Sequence, residues 1–509
     1  MSQRLAKQIV ILGGGTAGWM TAAALARVLN GKVSVTVVES DEIKSVGVGE
    51  ATVPGIVRYN DMLELNEDQF IRETSGTIKL GIEFVDWNFI GDKYMHAFGR
   101  YRHDIKLTSF EQIWQRLNLL GRASKLADYS ITQTAAYAGR FMRPRFDVPD
   151  SPLADIAYAF HFDASLYARY LRKYAEQRGA RRVEGRVIDV GLDAGGNIAS
   201  LKIADGMEIT GEFFVDCTGF RGRLIEEVLK SGYDDWSNWL PANRAVTVHS
   251  STEGAVLPYT RATARTGGWQ WRIPLQHRIG NGYVFCNRYV SEDEATATLL
   301  GNLDGKALGS PWILRFVPGL RKRPWIRNCV AIGLASGFIE PLESTSIHQI
   351  QSAIFRLLKF LPSSVPSEAD IAEYNRLTHK EYEHIRDFIV LHYHLNRRNE
   401  PLWDFCRNME IPESLRQKIA LFKSHGRLFS ETDELFAQGS WWQVMQGQGM
   451  RPSGYDPIVD VVDVEDLTAF FDSIKNAVHA CIKGMPTHEA FLKQRVSPVD
   501  ERVHGVAGH

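Results

Sequence analysis

A glycine-rich loop between a short apolar strand and an alanine-rich helix constrains the fold of this chain more than any other feature. Residues 9–12 predict a buried strand, and residues 13–18 read Gly-Gly-Gly-Thr-Ala-Gly, which satisfies the pattern G-x-G-x-x-G. A helix is predicted over residues 19–29 and a second strand over residues 33–38, which ends at Glu39. This order of elements predicts an α/β fold that begins with a Rossmann-like dinucleotide-binding unit.

Dinucleotide binding needs each part of this unit. Glycines let the backbone approach a pyrophosphate, and the helix N-terminus offers it free N–H groups and the positive end of the helix dipole. Glu39 follows Gly18 at the spacing of about 20 residues that places a carboxylate on a ribose hydroxyl. The predicted cofactor contacts of this unit are Gly13, Gly15, Thr16, Ala17, Gly18 and Glu39.

Two later segments predict further strands. Residues 212–215 predict a strand that ends at Asp216, and residues 329–332 predict a buried strand that ends at Gly333. Together with the N-terminal unit, they indicate a sheet assembled from separated parts of the chain.

The region between these strands has β character, and the end of the chain has helical periodicity. Residues 269–290 predict a β-hairpin that turns at Asn281-Gly282. Helices are predicted over residues 371–395, 413–425 and 466–483. We therefore expect a dinucleotide-binding module over residues 1–361, with an interleaved β-rich substrate region, and a mostly helical region over residues 362–509 packed on it.

Composition argues against several functional classes. The 59 basic and 60 acidic residues give a net charge of −1, so no bulk charge favours nucleic acid or an anionic membrane. No apolar run reaches the length of a membrane span. The five cysteines include no Cys-x-x-Cys pair, so neither a disulfide framework nor a metal site is indicated. We expect a cytoplasmic protein that binds no metal, nucleic acid or membrane.

The run Trp269-Gln270-Trp271-Arg272-Ile273-Pro274 predicts a strand with two indoles on one face. Side chains at positions i and i+2 of a strand point the same way. Paired aromatic residues on a half-buried strand usually belong to the core, so the run by itself assigns no function.

A lysine and a polar loop stand in unusual settings. Lys79 lies between apolar residues and glycines in residues 76–81, which suits a close-packed strand, although a lone lysine is usually on the surface. Residues 341–346 read Pro-Leu-Glu-Ser-Thr-Ser and precede a helix whose apolar residues recur with a period of 3.6. Ser346 and Gln349 have the spacing of a capping box, and such a helix start also offers free N–H groups to an anion.

These motifs, in this order, resemble those of the flavin-dependent halogenases, and of the tryptophan halogenases in particular. The resemblance covers most of the chain and includes the glycine-rich loop, the strap Gly47-Val48-Gly49-Glu50-Ala51-Thr52, Lys79, the Trp-x-Trp-x-Ile-Pro run and the Glu-Ser-Thr loop. It implies that reduced FAD, oxygen and chloride or bromide are used to halogenate an indole-like aromatic compound. In this family a flavin peroxide meets halide, and a lysine directs the hypohalous acid that forms.

The resemblance also implies roles for individual residues. Lys79 would direct the hypohalous acid, as a hydrogen-bonded oxidant or a haloamine, and Glu343 would stabilise the cationic arene intermediate and accept its proton. Thr345 and Ser346 would hold the halide through backbone N–H groups, although Ser346 replaces the glycine usual in the family. The implied wall beside the flavin consists of Trp269, Trp271, Ile273 and Pro274. Further implied cofactor contacts are Gly49, Ala51, Asp216, Gly333 and Ile347.

The implied substrate pocket departs from that of enzymes that halogenate free tryptophan. It contains His96, Phe98, Ser344, Trp441 and Trp442. Trp441 and Trp442 stand where tryptophan halogenases carry a pair of tyrosines, and the loss of the hydroxyls removes partners for the charged end of an amino acid. We therefore expect indole, free or simply substituted, to be a better substrate than tryptophan.

One partner is implied, and two other functions stay open. Because the chain has no second glycine-rich fingerprint, it would depend on a separate NADH-dependent flavin reductase for FADH2; a homodimer is one possible assembly. An aromatic hydroxylase of the same fold is opposed by the Trp wall and by Gly333-Leu334, where such hydroxylases carry Gly-Asp. A flavin-binding protein without turnover is opposed by the retention of both Lys79 and Glu343.

Overall fold

The computed structural model describes residues 5–42, 49–101, 108–361, 366–431 and 434–496. Its strands are β1 (Gln8–Leu12), β2 (Ser34–Glu39), β3 (Gly49–Ala51), β4 (Thr77–Lys79), β5 (Gly81–Val85), β6 (Lys93–Ala97), β7 (Ala159–Asp163), β8 (Arg181–Glu184), β9 (Val187–Leu192), β10 (Ile198–Ile203), β11 (Glu208–Thr210), β12 (Phe213–Asp216), β13 (Tyr233–Asp235), β14 (Arg244–Ser250), β15 (Thr260–Arg265), β16 (Gly268–Pro274), β17 (Ile279–Phe285), β18 (Trp312–Arg315), β19 (Gly319–Arg321), β20 (Trp325–Ile326), β21 (Cys329–Ala331) and β22 (Gly337–Phe338). Its α-helices are α1 (Thr16–Leu29), α2 (Gly55–Met62), α3 (Glu67–Glu73), α4 (Phe110–Leu119), α5 (Ile131–Tyr137), α6 (Ala164–Glu176), α7 (Glu292–Gly301), α8 (Ser346–Lys359), α9 (Glu368–His394), α10 (Pro401–Asn408), α11 (Glu413–His425), α12 (Gln438–Gly447), α13 (Val464–Gly484) and α14 (His488–Val496).

A six-stranded sheet joins separated parts of the chain. Strand β1 lies between β2 and β12, and the full order is β20-β21-β12-β1-β2-β8. Neighbouring strands are parallel except β20, which runs antiparallel to β21. Parallel sheets are buried on both faces, which suits the continuous apolar runs of β1 and β12. The predicted Rossmann-like assembly of separated strands is confirmed.

The loop after β1 needs glycine because the backbone is too crowded for a side chain. Gly13 has φ +111°, and a Cβ there would lie 2.4 Å from the carbonyl oxygen of Cys217. A Cβ on Gly18 would lie 1.8 Å from the carbonyl oxygen of Gly13. The glycines therefore let α1 begin close to the ends of β1 and β12 and pack against α6 and α8.

A seven-stranded sheet carries the tryptophan run and corrects one prediction. Its order is β18-β14-β17-β16-β15-β5-β6, and it is antiparallel except for the pair β15 and β5. The predicted hairpin of β16 and β17 is present, but it turns at residues 275–278. Asn281 and Gly282 lie inside β17, so the turn predicted at these residues is wrong. Gly282 pairs with Trp271, and a Cβ on Gly282 would lie 2.1 Å from that indole ring, so packing requires this glycine.

The C-terminal part of the chain is helical and shares the core of the sheets. Helices α9, α11 and α13 confirm the predicted helices, with ends within three residues of the predicted ones. One apolar cluster contains buried side chains from Ala6 to Leu492, so this region packs on the α/β part. The domain division near residue 361 stays a prediction. Among the described residues, no helix has both the length and the apolar character needed to cross a membrane.

Candidate active site

A cavity of about 1180 Å³ opens at the carboxyl end of the six-stranded sheet. The segments that follow β1, β2, β12 and β21 all line it, because parallel strands end at the same edge of a sheet. The predicted residues that line it are Gly13, Gly15, Thr16, Ala17, Glu39, Ala51, Trp269, Trp271, Ile273, Gly333, Ser344, Ser346 and Ile347. The cavity is larger than most pockets for drug-sized ligands, which suits an extended dinucleotide.

The cavity wall fits a dinucleotide in both shape and charge. Gly13 and Gly333 have positive φ, and a Cβ on Gly333 would lie 2.9 Å from the Cβ of Ala17, so this glycine lets the loop after β21 lie close to the start of α1. Glu39 pairs with Arg182 and accepts a hydrogen bond from Trp19 Nε1 at 3.3 Å. These contacts hold the Glu39 carboxylate at the end of β2, where a ribose hydroxyl is expected.

Asp216 lies behind the cavity wall. It is fully buried, and its carboxylate accepts hydrogen bonds from the backbone N–H groups of Thr218, Leu224 and Ile225 and from the Thr218 hydroxyl. The side chain therefore shapes the loop after β12, whose residues 217–219 line the cavity. Three further predicted residues, each among those described, do not line the cavity: Gly18, Pro274 and Thr345. Gly49 lies in β3, and the strap residues Gly47 and Val48 lie outside the described residues.

Two tryptophans of β16 form part of the cavity wall. The ring centroids of Trp269 and Trp271 are 6.1 Å apart on one face of the strand, as their i, i+2 spacing predicts. Trp269 also packs against Trp87, at 6.5 Å between ring centroids. The Nε1–H of Trp269 donates to Glu340 Oε1 at 2.8 Å, which fixes the orientation of the indole.

Glu340 is a buried carboxyl group that the sequence analysis missed. Its Oε1 also accepts a hydrogen bond from the Tyr393 hydroxyl at 2.6 Å, and its Oε2 has no partner among the described residues. Burial raises the pKa of Glu340 to about 7. Glu340 lies three residues before Glu343 in the same loop. No pattern in the sequence identifies it as a residue of the site.

Lys79 is completely buried at the end of β4. Its Nζ donates to the carbonyl oxygen of Thr52 at 2.9 Å and to Ser344 Oγ at 2.7 Å. Burial lowers the pKa of Lys79 to about 7, against the opposite effect of the Glu343 carboxylate. The Nζ also lies 5.0 Å from the centre of the Phe98 ring. Because Ser344 lines the cavity, it connects Lys79 to the predicted cofactor site.

Glu343 ends the short helix Pro341–Glu343 and is 1 % exposed. His96 Nδ1 lies 2.9 Å from Glu343 Oε2, and His392 Nε2 lies 2.9 Å from Glu343 Oε1. Burial alone would raise the pKa of Glu343, but the two histidines lower it to about 2. The sequence analysis missed His392, because a single histidine within a helical pattern carries no functional signal.

The predicted pocket residues divide between two places. The Phe388 ring lies 5.6 Å from His96 and 4.9 Å from Trp441, and it stacks on Phe436 at 3.9 Å between centroids. His96 and Trp441 therefore belong to one aromatic cluster beside Glu343. Trp442 packs instead against the end of α11, because consecutive helical residues point in different directions.

The start of α8 differs from the predicted capping box. Thr345 precedes the first helical residue, Ser346, and no side chain caps the helix. Gln349 N–H donates to the carbonyl oxygen of Thr345 at 2.9 Å, so the capping box of Ser346 with Gln349 is wrong, because Ser346 is already helical. Thr345 Oγ1 is buried without a partner among the described residues. A helix start leaves its first N–H groups unbonded, so this one suits an anion.

Comparisons with known proteins agree with this geometry. The tryptophan halogenase family profile matches residues 8–464. The chain is 33% identical to the tryptophan 6-halogenase SttH of Streptomyces toxytricini, with 97% of this chain and 100% of that protein covered. It is 46% identical to the structure of Xcc4156, a flavin-dependent halogenase from Xanthomonas campestris, with a TM-score of 0.93 over 97% of this chain and 99% of the other. BrvH, a flavin-dependent halogenase from Brevundimonas sp. BAL3, is 42% identical with a TM-score of 0.92, over 96% and 99% of the two chains.

Proposed function

Since the chain belongs to the tryptophan halogenase family of flavin-dependent halogenases, we propose that it halogenates an indole-like aromatic compound with chloride or bromide. Enzymes of this family are oxidoreductases that use FAD, oxygen and halide. One observation supports the proposal most directly. Lys79 and Glu343 are both buried beside Ser344, at the edge of a cavity that fits FAD.

FAD would be held by the loop at residues 13–18, by Glu39 at a ribose hydroxyl, and by Gly333 beside the start of α1. Reduced FAD, together with oxygen and halide, supplies hypohalous acid when bound. The chain contributes a wall, Trp269 and Trp271, that would keep the arene from the cofactor. It contributes free N–H groups at Thr345 and Ser346 that would hold the halide.

Lys79 would present the oxidant to the arene. Its three donors are fixed in direction by the carbonyl of Thr52 and the hydroxyl of Ser344, which leaves one N–H free when the group is charged. A pKa of about 7 lets Lys79 be an ammonium or an amine near neutral pH, so both a hydrogen-bonded oxidant and a haloamine are accessible.

Glu343 would stabilise the cation that forms when the ring is attacked. Its low pKa means that the carboxylate stays charged throughout the working range of pH. A fixed negative charge in a water-excluded site acts strongly on developing positive charge. The same oxygen atoms would accept the proton that the ring releases.

We further propose that the substrate is indole, free or simply substituted, in preference to free tryptophan. Arg451, the basic residue nearest to Trp441 and Trp442 in sequence, donates to the carbonyl oxygens of Gln446 and Met450. Its guanidinium is thus engaged with backbone carbonyl oxygens of its own loop. The tryptophan halogenases among the relatives favour tryptophan itself as the second candidate.

The test is a reaction of the protein with FAD, a separate NADH-dependent flavin reductase, NADH and bromide or chloride against a panel of indoles. We expect products whose masses carry one halogen, and none when halide is omitted. A hydroxylated product would indicate the aromatic hydroxylase instead. Stoichiometric binding of FAD without any halide-dependent product would indicate a flavin-binding protein without turnover.

A further inference from the structure

His392 is a buried histidine on α9 that contacts the proposed catalytic carboxylate. It is 0% exposed, and the rings of Phe84 and Phe388 lie 4.8 and 5.1 Å from its own. Its Nδ1 lies 2.8 Å from the carbonyl oxygen of Phe388, one helical turn earlier. Its Nε2 lies 2.9 Å from Glu343 Oε1.

These two contacts determine where the imidazole carries protons. A carbonyl oxygen only accepts, so Nδ1 must carry a proton that it donates to Phe388. If Nε2 were bare, its partial negative charge would lie 2.9 Å from a carboxylate oxygen, which is repulsive. Either Nε2 carries a second proton, or Glu343 is a neutral acid. The Nε2–H direction does not meet the geometry of a hydrogen bond, so the contact acts through charge.

The other groups around Glu343 favour the charged pair. His96 Nδ1, from β6, lies 3.0 and 2.9 Å from the two carboxylate oxygens, so both oxygens face a donor. Lys79 of β4 adds positive charge on the side of Ser344, and Tyr94 of β6 is a neutral phenol. Glu340 is buried to the same extent, but only neutral donors contact it. Its pKa is therefore raised to about 7, so a buried carboxyl group here stays ionised only with charged partners.

We propose that His392 is a positioning residue for Glu343: a doubly protonated imidazolium that keeps the buried carboxylate ionised and aimed at the arene. The inference rests on the proposed function for its consequence, but the charge state of the pair can be measured without turnover. His392 contacts neither cofactor nor substrate in this role and acts only through Glu343.

The first test is the pH dependence of halogenation in His392→Phe and His392→Gln, each divided by the wild-type rate at the same pH. The folded-state pKa of Glu343 is lowered, so its charge is lost only near pH 2 in the wild type. Without the imidazolium, burial raises the pH at which Glu343 loses its charge. The upper limit is about pH 7, the pKa of the equally buried Glu340. The carboxylate would then be about one tenth ionised at pH 6 and nine tenths at pH 8.

We expect the relative rate of His392→Phe to rise roughly three- to tenfold from pH 6 to pH 8, because His96 still supplies part of the stabilisation. His392→Gln, which offers a neutral donor, should rise less. Dividing by the wild-type rate at the same pH cancels the pH dependence that Lys79 contributes to both proteins. The matched control is His394→Gln, on the same helix, whose imidazole faces the carbonyl of Cys406. A pH-independent ratio for His392→Phe overturns the proposal.

The second test needs no substrate. In wild-type protein labelled with 15N-histidine, the signal that disappears in His392→Gln should show protons on both ring nitrogens. A neutral ring in that signal overturns the proposal. FAD binding and thermal unfolding identify any variant that fails to fold, and if His392→Gln fails, His392→Phe provides the assignment of the signal. If the wild type makes no halogenated product at any pH, the proposed function fails while this measurement still decides the charge of His392.

Discussion

Replacement of Gly282 by alanine should displace Trp271, one of the two tryptophans in the cavity wall. The new Cβ would lie 2.1 Å from Cη2 and Cζ2 of Trp271, whereas carbon atoms in contact are about 3.5 Å apart or more. The indole would have to move by roughly 1.4 Å, and strand pairing on both sides of β17 prevents the backbone from yielding. Trp271 borders the cavity, so the ring would move into the space that we assign to the cofactor.

The free energy of unfolding should fall in this variant. Overpacking costs about 1–3 kcal/mol, whereas the entropic gain from replacing glycine by alanine in the unfolded chain is about 0.4–1 kcal/mol, so the loss dominates. We also expect weaker FAD binding. If about 1.4 kcal/mol of the strain can be relieved only when the cofactor is absent, the dissociation constant for FAD rises by up to roughly tenfold. Urea unfolding and titration with FAD by fluorescence quenching measure the two effects.

Two further variants identify the cause. Gly301→Ala, at the end of α7 where a Cβ meets no atom within 4 Å, should leave stability and FAD binding unchanged or slightly improved. Adding Trp271→Phe to Gly282→Ala removes the two nearest of the clashing ring atoms, Cη2 and Cζ2, and should recover stability relative to Gly282→Ala alone. If Gly282→Ala is as stable as the wild type, or if Trp271→Phe brings no recovery, the packing argument is refuted.

Four more outcomes are expected. Lys79→Ala should still bind FAD, measured by fluorescence quenching, but form no halogenated product; normal product yield would exclude the assigned role. Glu343→Gln should lower halogenation by roughly ten- to ten-thousandfold, while a small hypohalite trap is still halogenated; loss of both activities would indicate a collapsed loop instead. Glu340→Gln keeps an acceptor for the Trp269 Nε1–H and should halogenate faster than Glu340→Leu, which leaves that donor unpaired at a cost of about 1–3 kcal/mol; equal rates would contradict the anchoring of the wall. In a mixture of equal amounts of indole and tryptophan, product masses should show faster halogenation of indole, chiefly at its electron-rich pyrrole carbon, and a clear preference for tryptophan with attack on its benzene ring would contradict the proposed substrate.

Local patterns were sufficient to predict the N-terminal Rossmann-like unit of this protein. Strand, glycine loop, helix and strand are each specified by residues close together in sequence, and the close contacts at Gly13 and Gly18 explain why no other residue serves there. The i, i+2 spacing likewise predicted that Trp269 and Trp271 share a face. Helices α9, α11 and α13 follow from their apolar periodicity.

Local patterns failed where a residue serves packing at a distance. Asn281-Gly282 has the composition of a tight turn, yet Gly282 is a strand residue because Trp271 fills the space where its side chain would be. Ser346 has the spacing of a capping residue, yet the loop before it places the helix start one residue earlier than that motif needs. At Gly282 a tertiary contact outweighed the local preference.

The pKa values in the candidate site are determined by the tertiary structure alone. The sequence determined that Lys79 and Glu343 are present, but their pKa values of about 7 and about 2 depend on burial and on His96 and His392, which reach Glu343 from different elements. Glu340 and Glu343 are the same residue type in one loop, and their pKa values differ because only Glu343 faces the histidines. Desolvation and charge proximity are properties of the assembled core, so they emerge only when β4, β6, α9 and the loop before α8 are packed together.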